Sequence, residues 1–397
     1  MIDLKAARAN PDAVRAALAR KGAAEPFDRL LAADERWRAL VPRVDELRGR
    51  TKLKGKPTPE ELEELQAVKT ELKAVEEELA AAEAERDAAL ALVPNPPHES
   101  SPSGDTDDDA VEVSRFGTPS TDGTPREHTE IGRFDMDRAA RISGSRFGYI
   151  IGDSARVAMA LYQFALDHLV KAGFTPIITP VLVREEAMYG TGFFPTERSN
   201  IYALESDGLY LTGTSEVALA SLHMGEILDE LPLRYTGFST NFRREAGAAG
   251  KDTRGMFRVH QFNKVEMFVF TQPDASWEEH ERMLELEEQF LQALGLPYRV
   301  TNVAAGDLGA PAAKKYDCEA WFPFQQRYRE LTSCSNTTDY QARRLGIRFR
   351  GANGLETPHT LNGTMVTDRA LLAILENFQG DVPEVLRDYG APDRVAS

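Results

Sequence analysis

"NFRREAGAAGKDTRGMFRVHQFNKVEMF", residues 241–268, carries six Lys or Arg against three Asp or Glu, in a chain of 397 residues whose formal net charge is -16. Strand alternation puts Arg243 and Glu245 on one face, and Phe262, Lys264 and Glu266 on another. If the two ends pair across "AGAAGKDTRGM", these faces converge on a pocket holding a guanidinium, an aromatic ring and carboxylates. That set suits an adenine nucleotide, with Arg for phosphate, Phe for stacking and Glu for an amino group. A basic hairpin with its aromatic side in the core accounts for the same alternation, and pattern alone favours it. No GxxxxGK[ST] loop or GxGxxG turn occurs, so phosphate must be held by arginines and a metal.

The chain is long enough for two domains, and its 42% hydrophobic and 28% charged residues read as globular. Cys318 and Cys334 form no CxxC pair and have no nearby His pair, so they read as reduced thiols, and zinc is not expected. "MIDLKAARANPDAVRAALARKG" has no apolar signal core, and nowhere do roughly 18 apolar residues run together. No membrane association and a cytoplasmic location are expected. The acidic balance excludes a protein that coats nucleic acid with its whole surface, while leaving room for local basic patches.

Working outward, Leu30, Ala33, Trp37, Leu40, Val44 and Leu47 follow alternating spacings of three and four, as do Leu65, Val68, Leu72, Val75, Leu79, Ala82, Arg86, Ala89 and Val93. Gly55 and Pro57 break the first helix, and Thr58, Pro59 and Glu61 make a capping box with proline at the first helical position. An antiparallel helical hairpin is predicted, with Pro42 kinking or opening its first helix. Its second helix holds eleven acidic and three basic residues over 59–93, whereas 43–56 holds six basic and two acidic. A dimerising coiled coil and a phosphate-backbone reader with a basic tip explain this equally well.

"VPNPPHESSPSGDTDDD" (93–109) reads as linker. The domains are therefore an arm (1–97), a linker (98–126) and a larger unit (127–397). In the last, a helix is predicted over 153–173, then the strand "FTPIITPVLV", strand-like "LYLTGT" and "LPLRYTGFSTNF", and a long strand "MFRVHQFNKVEMFVF". An acidic helix over 276–294 and a final "RALLAILENFQ" complete it. Without regular βαβ alternation, this is an α+β fold with a largely antiparallel sheet flanked by helices.

The stretch "FRREAGAAGKDTRGMFRVHQFNKVE" closely resembles motif 2 of bacterial-type seryl-tRNA synthetases, which are class II aminoacyl-tRNA synthetases. "LTGTSE" (211–216), "RELTSCSN" (329–336), "HTLNGT" (359–364) and "RALLAILEN" (369–377) follow in that family's order. The helix and strand ending at Pro180 look like motif 1, the dimer-forming element, and the N-terminal hairpin resembles the family's tRNA-binding arm. The resemblance covers almost the whole chain. It implies the class II fold, a homodimer, and activation of L-serine with ATP to seryl-adenylate, followed by transfer to the 3' end of tRNA(Ser). A paralogue serving a non-tRNA carrier and an inactive RNA-binding regulatory homologue are the alternatives. The retained arm speaks against the former, and the retained Arg243, Glu245, Glu266, Glu330 and Arg369 against the latter.

By this resemblance, Thr214, Ser215 and Glu216 line a serine pocket, Glu266 holds the ammonium, and Asn362 and Thr364 stand near the hydroxyl. Arg243 grips the α-phosphate, Glu245 the adenine amino group, Phe262 stacks on the base, Val259 touches it through its backbone, and Arg369 covers the other side. Arg244, Leu331 and Thr332 belong to the same ATP-binding stretches, and Glu330 and Ser333 match ligands of Mg2+ and phosphate. Arg243, Arg369 and Glu330 are the expected catalytic set. Arg48, Arg50, Lys52 and Lys54 would meet tRNA on the arm, and Lys251, Asp252 and Arg254 its acceptor end. His260 and His359 read as structural hydrogen bonders, and Cys334 as packing. The chain departs from the family pattern at Asp368, where a small residue commonly precedes the arginine. That change sets an anion near the triphosphate unless it points away.

Overall fold

The computed structural model describes residues 1–52, 58–119, 124–246, 255–352 and 354–396. The chain divides into two compact units, Met1–Pro96 and Pro97–Ser397. The first holds α1 (Leu4–Ala9), α2 (Pro11–Ala19), α3 (Ala24–Arg50) and α4 (Pro59–Leu92). Thr58 and Glu61 cap α4 reciprocally, satisfying two of the amides that a helix start leaves unpaired.

Leu40, Val44 and Leu47 of α3 bury against Val68, Val75 and Ala82 of α4, with Trp37, Leu72 and Leu79 at the seam's margins. The heptad intruder Arg86 lays its guanidinium over the Trp37 ring at 4.0 Å, so a cation fits an otherwise apolar row. Helix α3 runs uninterrupted through Pro42, so of the expected kink or opened turn, no turn opens. The ring sits on the exposed side, and the hydrogen bond that its missing N–H would have made is forgone. Between the helices, Arg43 pairs with Glu71 at 3.1 Å, Arg48 with Glu76 at 2.9 Å and Arg50 with Glu64 at 3.6 Å. These pairs are solvent-exposed and each contributes under about 1 kcal/mol. Lys52 is exposed. Lys54, Gly55 and Pro57 lie outside the described residues.

The larger unit is built on an eight-stranded sheet: β1 (Val111–Phe116), β2 (Thr175–Ile178), β3 (Leu233–Phe242), β4 (Gln261–Thr271), β5 (Tyr298–Asn302), β6 (Lys314–Phe322), β7 (Arg327–Asn336) and β8 (His359–Thr367). Its order is β1-β5-β6-β7-β8-β4-β3-β2, antiparallel throughout except for β2 beside β3. The helices that matter here are α5 (Asp153–Lys171), α6 (Glu216–Ser221), α7 (Ser276–Ala293), α8 (Tyr340–Leu345) and α9 (Asp368–Phe378). Residues 98–126, read as linker, supply β1 as an edge strand on β5, and His98 N–H donates to the Ala313 carbonyl at 2.8 Å. All six β1 side chains are exposed, and its apolar positions, Val111, Val113 and Phe116, are too few and too short a run to stand out from the surrounding polar stretch.

Strand β4 organises the unit because both its faces are covered. Val265, Met267 and Val269 bury with Leu161 and Phe164 of α5, Phe290 of α7 and Ile374 of α9. Phe268 and Phe270 point the other way, onto Leu219 of α6 and Leu345 of α8. Continuing that second row toward the strand's start gives Glu266, Lys264 and Phe262, which line an open cavity instead. The strand begins at Gln261, five residues later than Met256. Gly255 takes φ +69°, and His260 N–H donates to the Arg146 carbonyl at 2.9 Å, so residues 256–260 leave the ladder. Met256, Phe257, Arg258 and Val259 become a wall of the cavity.

Candidate active site

The cavity has a volume of about 710 Å³ and opens at the motif 2 end of the sheet. At its inner end, Lys264 Nζ ion-pairs with Glu266 and donates to Thr214 Oγ1 at 2.7 Å, and Thr214 donates to Glu266 at 3.2 Å. Glu216 accepts from Asn362 Nδ2 at 3.0 Å and from Gln341 Nε2 at 2.7 Å. Thr364 stands 3.4 Å from the Lys264 ammonium. Two carboxylates, one ammonium, hydroxyls and amides thus line a small buried polar end. It can read a zwitterion and a hydroxyl, because any ligand lacking those groups leaves buried partners unpaired.

Burial first, and the neighbouring Glu266 carboxylate second, push Glu216 up to about 7, against the Gln341 hydrogen bond and the charges of Lys264 and Arg243. Burial also raises Glu266, though Lys264 opposes it. A folded state that keeps a proton which the unfolded chain has released loses stability as pH rises from the ordinary carboxyl range through about 7. Replacing Glu216→Gln is therefore expected to raise the thermal unfolding midpoint of the ligand-free protein more at pH 8 than at pH 5. Equal shifts at both pH values would contradict a carboxylate destabilised in this way.

Toward the mouth, Arg243 points into the cavity, with Nε donating to the Gly213 carbonyl at 3.2 Å and Cζ 5.2 Å from the Phe262 ring centroid. Glu245, at φ +51°, is ion-paired with Arg258. Arg369, at the start of α9, lies over the Phe257 ring at 4.5 Å, with Nη1 3.1 Å from the Glu330 carbonyl and 3.5 Å from its carboxylate. Burial alone would raise Glu330, but Lys315, Arg369 and Arg243 together keep its carboxyl well below the usual range, hence ionised. The mouth sets the guanidinium groups of Arg243, Arg258 and Arg369 and the Lys315 ammonium against the carboxylates of Glu245 and Glu330, with the Phe262 ring near Arg243 and the Phe257 ring under Arg369.

Two β-bulges set which residues meet there. Strand β7 pairs Thr332 with Cys318 but Glu330 with Glu319, leaving Leu331 as the extra residue. Glu330 and Ser333, an odd number of residues apart, therefore both line the cavity. Strand β8 slips in the same way at Met365, which brings Thr364 and Thr367 onto one side.

Of the expected site residues, Thr214, Glu216, Glu266, Asn362, Thr364, Arg243, Glu245, Val259, Phe262, Glu330, Leu331, Ser333 and Arg369 line this single cavity. Ser215, Arg244 and Thr332 do not. Ser215 sits at the N-cap of α6, its hydroxyl 3.5 Å from the Gly237 carbonyl. Arg244 alternates away from Arg243 and lies 5.8 Å from the Tyr202 ring centroid. Thr332 faces α7, where it donates to Glu287 at 2.9 Å. Lys251, Asp252 and Arg254 fall outside the described residues. His260 bonds the Arg243 carbonyl, His359 bonds Ser276, and Cys334 is buried in the core, as their sequence reading expects. Missed were Lys264 as the partner of Glu266, Gln341 behind Glu216, and Lys315 beside Glu330. Only Lys264 had a signal, its place between Phe262 and Glu266 on one strand face.

The donors also fit Mg2+. Among the described residues no group of three or more His, Cys, Asp or Glu forms a protein-only metal cage. One ionised carboxylate and one hydroxyl, from Glu330 and Ser333 on a common face, match an ion that is held by few protein oxygens together with substrate phosphates and water.

Comparison with known proteins agrees with this geometry. Residues 202–378 match the "tRNA synthetase class II core domain (G, H, P, S and T)" and residues 1–97 the "Seryl-tRNA synthetase N-terminal domain". The serine–tRNA ligase of Acidothermus cellulolyticus is 49% identical, covering 99% of this chain and 99% of its own. The seryl-tRNA synthetase of Pyrococcus horikoshii, solved with ATP, superposes with a TM-score of 0.93 at 38% identity, covering 100% of this chain and 99% of its own. The cytoplasmic serine–tRNA ligase of Naegleria fowleri, solved with AMP, gives 0.88 at 36% identity, covering 97% and 95%. With the inner polar end, the arginine-lined mouth and the helical hairpin in one chain, it belongs to the serine–tRNA ligase family, ATP-dependent ligases within the class II aminoacyl-tRNA synthetases.

Proposed function

We propose that this chain activates L-serine with ATP and transfers the seryl group to the 3' end of tRNA(Ser), acting in the cytoplasm as a homodimer. The observation carrying the reading is the one cavity whose inner end presents Glu216, Glu266 and Thr214 while its mouth presents Arg243, Phe262 and Arg369. Serine lies inward, its ammonium on Glu266 and its hydroxyl near Asn362 and Thr364. ATP lies across the mouth, adenine between Phe262 and Arg369 and against the Val259 backbone, with its amino group toward Glu245.

The serine carboxylate then attacks the α-phosphorus; a carboxylate–phosphorus bond forms, the bond to the bridging oxygen breaks, and pyrophosphate leaves. The nucleophile is already anionic, so the site needs no general base. Arg243 stabilises the charge that gathers on the α-phosphoryl oxygens, and Arg369 holds the γ-phosphate end. Glu330 and Ser333 would hold Mg2+, which neutralises phosphate charge when bound. In the second step a ribose hydroxyl of tRNA attacks the acyl carbon and AMP departs. Serine-dependent exchange between ATP and pyrophosphate, followed by transfer of labelled serine to tRNA, tests both steps. No exchange would overturn the reading, and exchange without transfer would remove tRNA as the acceptor.

The homodimer is supported by an apolar surface on the motif 1 elements. Ile178 on β2 is 91% exposed and Met159 on α5 is 65% exposed, and β2 leaves one sheet edge free. For the arm, Arg48, Arg50 and Lys52 together with Lys54 are proposed to meet the tRNA backbone. Their weak pairs with Glu76 and Glu64 are readily exchanged for phosphate. Replacing all four by Ala is expected to weaken tRNA binding and flatten its dependence on salt by about three to four units of slope, while exchange is spared. Equal loss of exchange would count against an RNA-reading arm.

A further inference from the structure

Asp368, the acidic residue before Arg369, is buried in the cavity wall, and each of its oxygens accepts a hydrogen bond from the protein. Tyr162 Oη on α5 donates to Oδ1, and the Asn263 N–H on β4 donates to Oδ2 at 3.0 Å. Asn263 is the residue after Phe262, and Arg369 follows Asp368 directly. One carboxylate therefore joins the backbone beside the base-stacking ring to the helix turn that carries the arginine. It also stands in the first turn of α9, where a negative charge is favoured.

We propose that Asp368 is a positioning residue that braces α9 to β4 and so fixes the gap between Arg369 and Phe262, in which, given that ATP occupies this cavity as proposed above, the adenine ring is held. Two charge-assisted hydrogen bonds hold that gap at a set width before the nucleotide arrives, so binding does not have to order the arginine. Serine contacts lie at the other end of the cavity and do not involve Asp368.

The full chain is assayed by serine-dependent exchange, varying ATP and serine separately. Asp368→Ala is expected to raise KM for ATP about tenfold while KM for serine stays within about twofold. Asp368→Asn, which keeps the shape and one good acceptor, recovers most of the loss, and Tyr162→Phe raises KM for ATP about threefold. If Asp368→Ala does not fold, the Tyr162→Phe comparison decides alone. An unchanged KM for ATP, a parallel rise in KM for serine, or an Asn variant no better than Ala would each overturn the brace. A lack of exchange by the unaltered chain would overturn the assigned activity instead.

Discussion

Replacing Arg243→Ala is expected to lower kcat for serine-dependent ATP/pyrophosphate exchange by about 10²- to 10³-fold, the usual size of losing one preorganised donor aimed at developing charge. Arg243 is held from both sides: Nε is anchored to the Gly213 carbonyl and the guanidinium lies near the Phe262 ring, so its direction is set before any phosphate binds. Arg243→Lys keeps the charge but loses the planar fork and the contact with the ring, and should fall between wild type and Ala. The effect belongs in kcat more than in KM, because the charge on the α-phosphoryl oxygens grows during attack. A loss below about tenfold would remove Arg243 from the catalytic set.

Glu266→Gln should raise KM for serine about a hundredfold, the upper range for a hydrogen bond to a charged group. It should also destabilise the empty protein by about 3 kcal/mol, because Lys264 is buried and would lose the carboxylate it is directly paired with, keeping hydrogen bonds to the Thr214 and Thr364 hydroxyls. The two effects separate in the double variant Glu266→Gln with Lys264→Met. Removing the orphaned cation restores stability, since an apolar side chain of similar length tolerates the site. Serine binding stays lost, because the carboxylate for its ammonium is still missing. Recovery of serine affinity in the double variant would show that Lys264, rather than Glu266, governs the substrate's ammonium.

How far such a site can be read from sequence depends on what kind of signal places each residue. Strand β4 is legible because its eleven residues alternate between two faces, and Phe262, Lys264 and Glu266 fall on the one that opens into the cavity. The acidic helix α7 and the arm are legible for the same reason, their buried residues recurring at helical spacing. Strand β1 is not, since it is an edge strand whose side chains all stay largely exposed, even Phe116, which stacks on the buried Tyr298. Motif resemblance marks whole stretches, whereas a strand offers alternate side chains to a cavity. Arg244 and Thr332 were therefore included with neighbours that point the opposite way. The bulges at Leu331 and Met365 are invisible for another reason: they exist only relative to a partner strand, and nothing in "RELTSCSN" or "HTLNGTMVT" alone says where two residues will face one. Without them, Glu330 and Ser333 would lie on opposite sides of the sheet.

The guanidinium of Arg86 resting on Trp37 bears on how the arm measures its own length. A hairpin of two heptad-patterned helices could slide by seven residues, about 10 Å, and still match most apolar positions. In an alignment slipped by one heptad the cation would leave the indole and meet an aliphatic side chain, losing the ring contact while keeping its pairs with Glu83 and Asp87 on its own helix. The one polar residue in the row thus acts as an index mark. It favours the observed alignment of α3 with α4 over its slipped neighbours, and with it the distance of the hairpin's basic tip from its root.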